Sequence, residues 1–176
     1  MLNILAISGS LKANSNNTRL LHAIAGLAPE NVQVTFYTGL AELPHFSPDL
    51  DTDDPPVSVT DWRAQLKNAA AVVICTPEYA YGMPGSLKNA LDWTVSSDEF
   101  VDMPVAAISA SPNLGGGKRA RRSLSRTLTA LSALVVRDAS FSVPLIGKKL
   151  DADGQIRDPE FAQSLTAALE ALLRVT

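Results

Sequence analysis

The sequence predicts an α/β domain with a doubly wound, five-stranded parallel sheet in the order 2-1-3-4-5 and helices on both faces. Three observations carry that expectation. Segments with strand character and segments with helical periodicity alternate five times along the chain. Residues 4–7, 71–75 and 105–108 are unbroken apolar runs, as suits strands buried on both faces, whereas Val32–Tyr37 alternates apolar and polar residues in the manner of an edge strand. An edge-like second strand beside central first, third and fourth strands gives the order 2-1-3-4-5. That order reverses direction between strands one and three, and ligands in such sheets bind beyond the strand C-termini at that point.

Composition narrows the classes. At 176 residues, 46% of them apolar, the chain can close one substantial core, and no repeat or linker divides it, so residues 1–176 read as a single domain. A formal charge of −3 gives nucleic acid no general basic surface to bind. No apolar run approaches a membrane span, and the first strand follows Met1 without room for a secretory leader, so a cytoplasmic protein without membrane partners is expected. Cys75 is the single cysteine, which leaves no internal disulfide and argues against a thiolate metal site; no metal is expected. Cys75 itself reads as core packing, and His22 and His45 as packing or surface residues.

In chain order, the run 4–7 stops at Ser8-Gly9-Ser10, and small polar residues continue to Thr18. From there Leu20, Leu21, Ile24 and Leu27 fall at helical spacing. After the edge strand comes a connection, 39–58, longer than usual and so a candidate lid or interface element. Helical patterns follow at 62–69, 86–95 and 119–131, separated by the two central strands, and a last strand is expected at 134–137. The final helix, Pro159–Leu173, places Phe161, Leu165, Ala168, Leu169 and Leu172 on one face.

Two loops should meet at the switch point, 8–17 and 76–84, and a third, 109–117, follows the neighbouring strand. In the first, a helix N-terminus with unpaired N–H groups is flanked by Ser10, Lys12, Ser15, Asn16 and Asn17. It lacks the Gly-x-x-x-x-Gly-Lys-Ser/Thr of a triphosphate loop and the Gly-x-Gly-x-x-Gly of a dinucleotide loop. Hydroxyls and amides in place of glycines suit one compact terminal phosphate. The same residues also compose a polar strand-to-helix loop with an ordinary hydroxyl cap, and this stretch alone leaves both readings standing. The second loop, with Pro77, Glu78, Tyr79, Ala80, Gly82 and Pro84, is a stiff turn whose amides can face a flat ligand.

Here Gly9-Ser10-Leu11 with Ser15-Asn16, then Pro77-Glu78-Tyr79, Pro84-Gly85 and the run from Leu87 through Lys88, Asn89, Ala90, Leu91 and Asp92 to Trp93, resemble the NADPH-dependent FMN reductases. That family is of flavodoxin-like fold and includes quinone and chromate reductases and azoreductases. The resemblance implies FMN as cofactor and NADPH or NADH as co-substrate. It assigns the FMN phosphate to Ser10, Lys12, Ser15, Asn16 and Asn17, and the isoalloxazine ring to Pro77, Glu78, Tyr79, Ala80 and Gly82. Ser109 and Ser111, in the glycine-containing third loop, would approach the ring from its other side. Two departures stand out: relatives usually carry Arg where Lys12 stands and commonly Asn where Ala80 stands, which alters the phosphate clamp and the ring edge.

The implied chemistry is hydride transfer from nicotinamide to flavin and onward to a quinone, chromate, azo or related acceptor, by a ping-pong mechanism on one open face. No acid–base catalytic residue is expected. The resemblance also implies a homodimer or homotetramer. The helix after the third loop crowds Lys118, Arg119, Arg121, Arg122 and Arg126 into its first half, against the macrodipole. An anionic partner would compensate: a nucleotide phosphate, an acidic substrate, or a neighbouring subunit's Asp49, Asp51, Asp53 and Asp54. A solvated basic face is the plainer reading of the same residues. Two further classes remain open at this level, a flavodoxin-type electron carrier and a flavin-free scaffold.

Overall fold

The structure, a computed structural model, describes residues 1–176. Its strands and helices are β1 (Leu2–Ser8), α1 (Asn16–Ala25), β2 (Val32–Tyr37), α2 (Val57–Lys67), β3 (Ala71–Thr76), α3 (Gly85–Asp92), β4 (Pro104–Ala110), α4 (Lys118–Ala130), β5 (Leu134–Val135), β6 (Ser142–Val143), α5 (Ile146–Lys149) and α6 (Pro159–Leu173). The sheet runs β2-β1-β3-β4-β5, all parallel. Every residue of β3 and β4 is buried, while β2 has an exposed Gln33 and mostly half-buried neighbours. The apolar patterning of the sequence therefore does report sheet position.

The two-residue period of the strands divides the core between two faces. Ile4, Ala6, Val73, Cys75, Ala106 and Ile108 point to the side covered by α1 and α6. Leu5, Ile7, Val72, Ile74, Val105 and Ala107 point to the side covered by α2, α3 and α4. Trp62 on α2 is completely buried in the second layer and donates its Nε1–H to Ala90 O at 2.9 Å, so its polar atom is satisfied.

The last strand departs from the expected continuous segment 134–137. β5 is two residues long and pairs with the start of β4, the chain leaves through a short 3₁₀ turn at Arg137–Ala139, and β6 re-enters against the far end of β4. Between them the N–H of Ala107 donates to Ser140 Oγ at 2.9 Å, so a side chain fills the gap in the ladder. Helix limits shift as well. α1 begins at Asn16 because Ser15 caps it, accepting the Thr18 N–H at 3.0 Å. α2 begins at Val57, directly after two prolines whose fixed φ favours a helix entry. The single turn α5 has no sequence signature of its own, whereas α6 occupies the expected 159–173.

The long connection 39–58 is a strap pinned to α3. Asn89 Nδ2 and Trp93 Nε1 both donate to Pro44 O, at 2.9 and 2.8 Å, and Asn89 Oδ1 accepts from Phe46 N. Asp51, expected as a contact for a neighbouring subunit, instead pairs within the chain with Arg63 at 2.7 Å and accepts from Ser96 Oγ. The Ser96 bond, followed by Arg63, holds the Asp51 carboxyl below its ordinary range.

Candidate active site

The C-terminal ends of β1, β3 and β4 bring the three loops together. The N–H of Gly9 donates to Cys75 O at 2.8 Å, which draws the first loop against β3. A Cβ at Gly9 would lie 3.0 Å from Leu87 Cδ2 and 3.3 Å from Thr76 Cα, so a larger residue here would have to displace its neighbours. Behind the loop a hydroxyl chain links Thr18 to Ser8 at 3.0 Å and to Ser15 at 2.9 Å. In front of it, the main-chain N–H groups of Ala13, Asn14, Ser15, Asn16 and Asn17 donate to no acceptor in the protein. Five uncommitted amides converge on the start of α1, where the macrodipole also favours negative charge.

Ala13 lines a neighbouring cleft, while four of these residues, Asn14 to Asn17, border one of about 390 Å³. Its lining includes Ser10, Lys12, Ser15, Asn16 and Asn17 from the first loop, Pro77, Glu78 and Tyr79 from the second, and Ser111 from the third. Nine of the twelve site residues expected from the sequence are thus brought to one crevice. Asn14, Arg19, Ala110, Pro112 and Asn113 line it too, without having been singled out. Arg19 follows Ser15 by four residues on the same helical face, and Asn113 follows Ser111 in the same loop; that spacing was the available signal.

Three expected residues do not line the cleft, each for a physical reason. Ala80 and Gly82 belong to a tight hairpin in which Tyr79 N donates to Gly82 O at 3.0 Å and Gly82 N to Tyr79 O at 2.9 Å. Its central residues, Ala80 and Tyr81, have φ of 47° and 66°, the left-handed values of a turn normally built from Asn-Gly. Asn, expected from relatives at position 80, tolerates that conformation; Ala80 is strained in it. Ser109 is fully buried and donates its hydroxyl to Gly116 O at 2.7 Å, with Ser142 Oγ 2.9 Å away. It ties the third loop to β6.

Glu78 does line the cleft, but its carboxylate is engaged elsewhere. Oε2 accepts the N–H of Arg119 at 2.9 Å and of Ala120 at 3.2 Å, capping α4 from a different loop. The Arg119 guanidinium lies over the exposed Tyr81 ring at 4.0 Å, and Arg121 Nε donates to Ser142 Oγ at 3.0 Å. Part of the negative charge expected from an outside partner of the basic helix is therefore supplied by this chain. With the Glu78 carboxylate turned to α4, the charges left for the cleft are Lys12 and Arg19. Free amides, small hydroxyls, Asn17 and two cations at one end, with Pro77 and the half-exposed Tyr79 along the other, fit a flat ligand carrying one terminal phosphate.

Fold and crevice together define a flavodoxin-like α/β protein with a donor-rich crevice at the topological switch point. A family model described as NADPH-dependent FMN reductase matches residues 2–148, and the chain belongs to that family of FMN- and NAD(P)H-dependent oxidoreductases. A quinone reductase of Escherichia coli is 30% identical over 97% of this chain and 93% of its own length. An NAD(P)H-dependent FMN reductase of Pseudomonas aeruginosa is 31% identical over the same shares. Among solved structures, the flavoenzyme NAD(P)H:(acceptor) oxidoreductase FerB of Paracoccus denitrificans superposes with a TM-score of 0.89 at 26% identity, covering 99% of this chain and 96% of that one. No helix is long and apolar enough to cross a membrane.

Proposed function

We propose that this protein is an NAD(P)H:quinone oxidoreductase that holds FMN with its phosphate against the first loop and its ring along Pro77, Glu78 and Tyr79. The observation that carries the reading is the set of four uncommitted amides, those of Asn14, Ser15, Asn16 and Asn17, on residues that line the same cleft as the second loop. Ser10, Lys12, Asn16 and Asn17 would hold the phosphate, and Ser111 would face the ring from the third loop. FMN, when bound, supplies the two-electron relay between nicotinamide and acceptor.

The chain's own part is to bind and orient. The N–H groups of Glu78, Ala80 and Tyr81 donate to nothing in the protein and remain available as hydrogen-bond donors on the second loop. Tyr79 and Tyr81 are more than half exposed, so the crevice has an open side where flat donors and acceptors can enter in turn. Entry by turns at one face gives ping-pong kinetics. Quinones are the acceptors favoured by the names of the relatives; chromate and azo compounds suit the same open face. The family context supports a homodimer or homotetramer.

The test is direct. Purified protein reconstituted with FMN should be yellow and should consume NADPH or NADH steadily only when a quinone is present, with parallel double-reciprocal plots as the quinone is varied. A chain that takes up no FMN sinks the proposal. One that binds FMN but turns over no nicotinamide is an electron carrier.

A further inference from the structure

Asn17 stands in the first turn of α1, is 4% exposed, and lines the phosphate end of the cleft. Its side-chain amide has two ends of opposite character, and rotation by half a turn exchanges them. Directly behind it, at the C-terminal end of β3, is Cys75, fully buried, whose Sγ lies 3.2 Å from Asn17 Oδ1. Asn17 Nδ2 has no acceptor anywhere in the protein. The residue is more than nine-tenths buried, and its unmatched donor keeps its remaining exposure at a cleft already rich in unmatched donors.

We propose that Cys75 is a positioning residue: its thiol donates to Asn17 Oδ1, holds that oxygen toward the sheet, and leaves Nδ2 facing the phosphate. The inference rests on the FMN reading given above. The reverse orientation would set a carbonyl oxygen against the anion. Complete burial pushes the Cys75 ionisation far upward, so the sulfur remains a protonated donor. The neighbours at this depth offer no substitute. Gly9 N is bound to Cys75 O, and the hydroxyls of Ser8, Ser15 and Thr18 are bound to one another. Packing alone would be served by valine at position 75, but valine cannot choose between the two ends of an amide.

The experiment compares FMN with riboflavin, which lacks only the phosphate, on the full-length flavin-free protein by fluorescence titration. Wild type should bind FMN much more tightly than riboflavin. Cys75→Ala should narrow that preference about three- to tenfold, the worth of the one ordinary hydrogen bond that sets the amide's orientation. Its riboflavin affinity should stay within about twofold of wild type on the same ground, and Cys75→Ser, which keeps a donor, should restore the preference. In an Asn17→Ala background the Cys75→Ala effect should vanish. If Cys75→Ala does not fold, Cys75→Val supplies the same donor-free comparison at closer volume. Equal weakening of both flavins, an unchanged preference, or an effect that persists without Asn17 each overturns the proposal. A wild type that does not distinguish FMN from riboflavin instead overturns the phosphate reading itself, and this inference with it.

Discussion

α1 and α4 begin at the same edge of the sheet and meet the same physical problem in opposite ways. At α1 the cap is local: Ser15 accepts only the Thr18 N–H, and the amides of residues 14–17, which line the cleft, stay unpaired. At α4 the cap arrives from another loop, since the Glu78 carboxylate takes the N–H groups of both Arg119 and Ala120. One N-terminus is left with its amides unpaired and the other is already filled by a carboxylate of the chain. The difference shows that a basic helix start is no guide to where a phosphate goes. What matters is which amides remain unpaired.

The strongest way to break that contrast is to place a charge at the open end. Asn17→Asp puts a carboxylate beside the expected phosphate, and at a separation of a few ångströms this repulsion should weaken FMN binding by at least about 100-fold. Titration with FMN checks it; unchanged affinity would mean that the phosphate lies elsewhere.

Opening the closed end is the converse. Glu78→Ala leaves two α4 amides and the surrounding cations without their acceptor, and unfolding stability should fall by about 1–2 kcal/mol. Inorganic phosphate should then raise the melting temperature of the variant more than that of wild type. If it does not, the α4 terminus is not an anion site even when vacated.

The hairpin that carries Glu78 into reach offers a smaller effect. Ala80 sits at φ 47°, so Ala80→Gly should relieve strain and stabilise by about 0.5–1 kcal/mol in chemical denaturation. A loss of stability would contradict the left-handed turn.

A third helix start gives the mildest test. Asp158 caps α6 by accepting the Glu160 and Phe161 N–H groups, and its carboxyl is held below the ordinary range first by the Lys149 bond and then by these amides. Because the folded value is depressed, its stabilising effect is present above the unfolded value of about 3.9 and lost as pH falls through the folded value. The gap in melting temperature between wild type and Asp158→Asn should therefore close below about pH 4. A gap independent of pH would assign the effect to hydrogen bonding alone.

Much of this was legible before any coordinates. Continuous apolar runs marked β3 and β4 as central because burial on both faces excludes polar side chains, and α6 followed from a clean 3.6-residue period. The Pro77-Glu78-Tyr79 run and the serine- and asparagine-rich first loop marked the site. Other features carried no local signal. Val136 and Arg137 look like strand residues, but beyond Val135 the chain turns away and Ser140 Oγ takes the Ala107 N–H of β4. Ser109 resembles any loop serine until Gly116 and Ser142 claim its hydroxyl.

By itself, then, the sequence determined the alternation of strands and helices, the sheet order and the three loops that form the crevice, because periodicity and turn chemistry are properties of neighbouring residues. Only the tertiary structure decided which polar groups remain free there. Asn17 belongs to the cleft while Glu78 is committed to α4 and Asp51 to Arg63, and each assignment turns on a partner distant in the chain. Hydrogen-bond pairing is settled by proximity in space, and the order of residues along the backbone does not encode it locally.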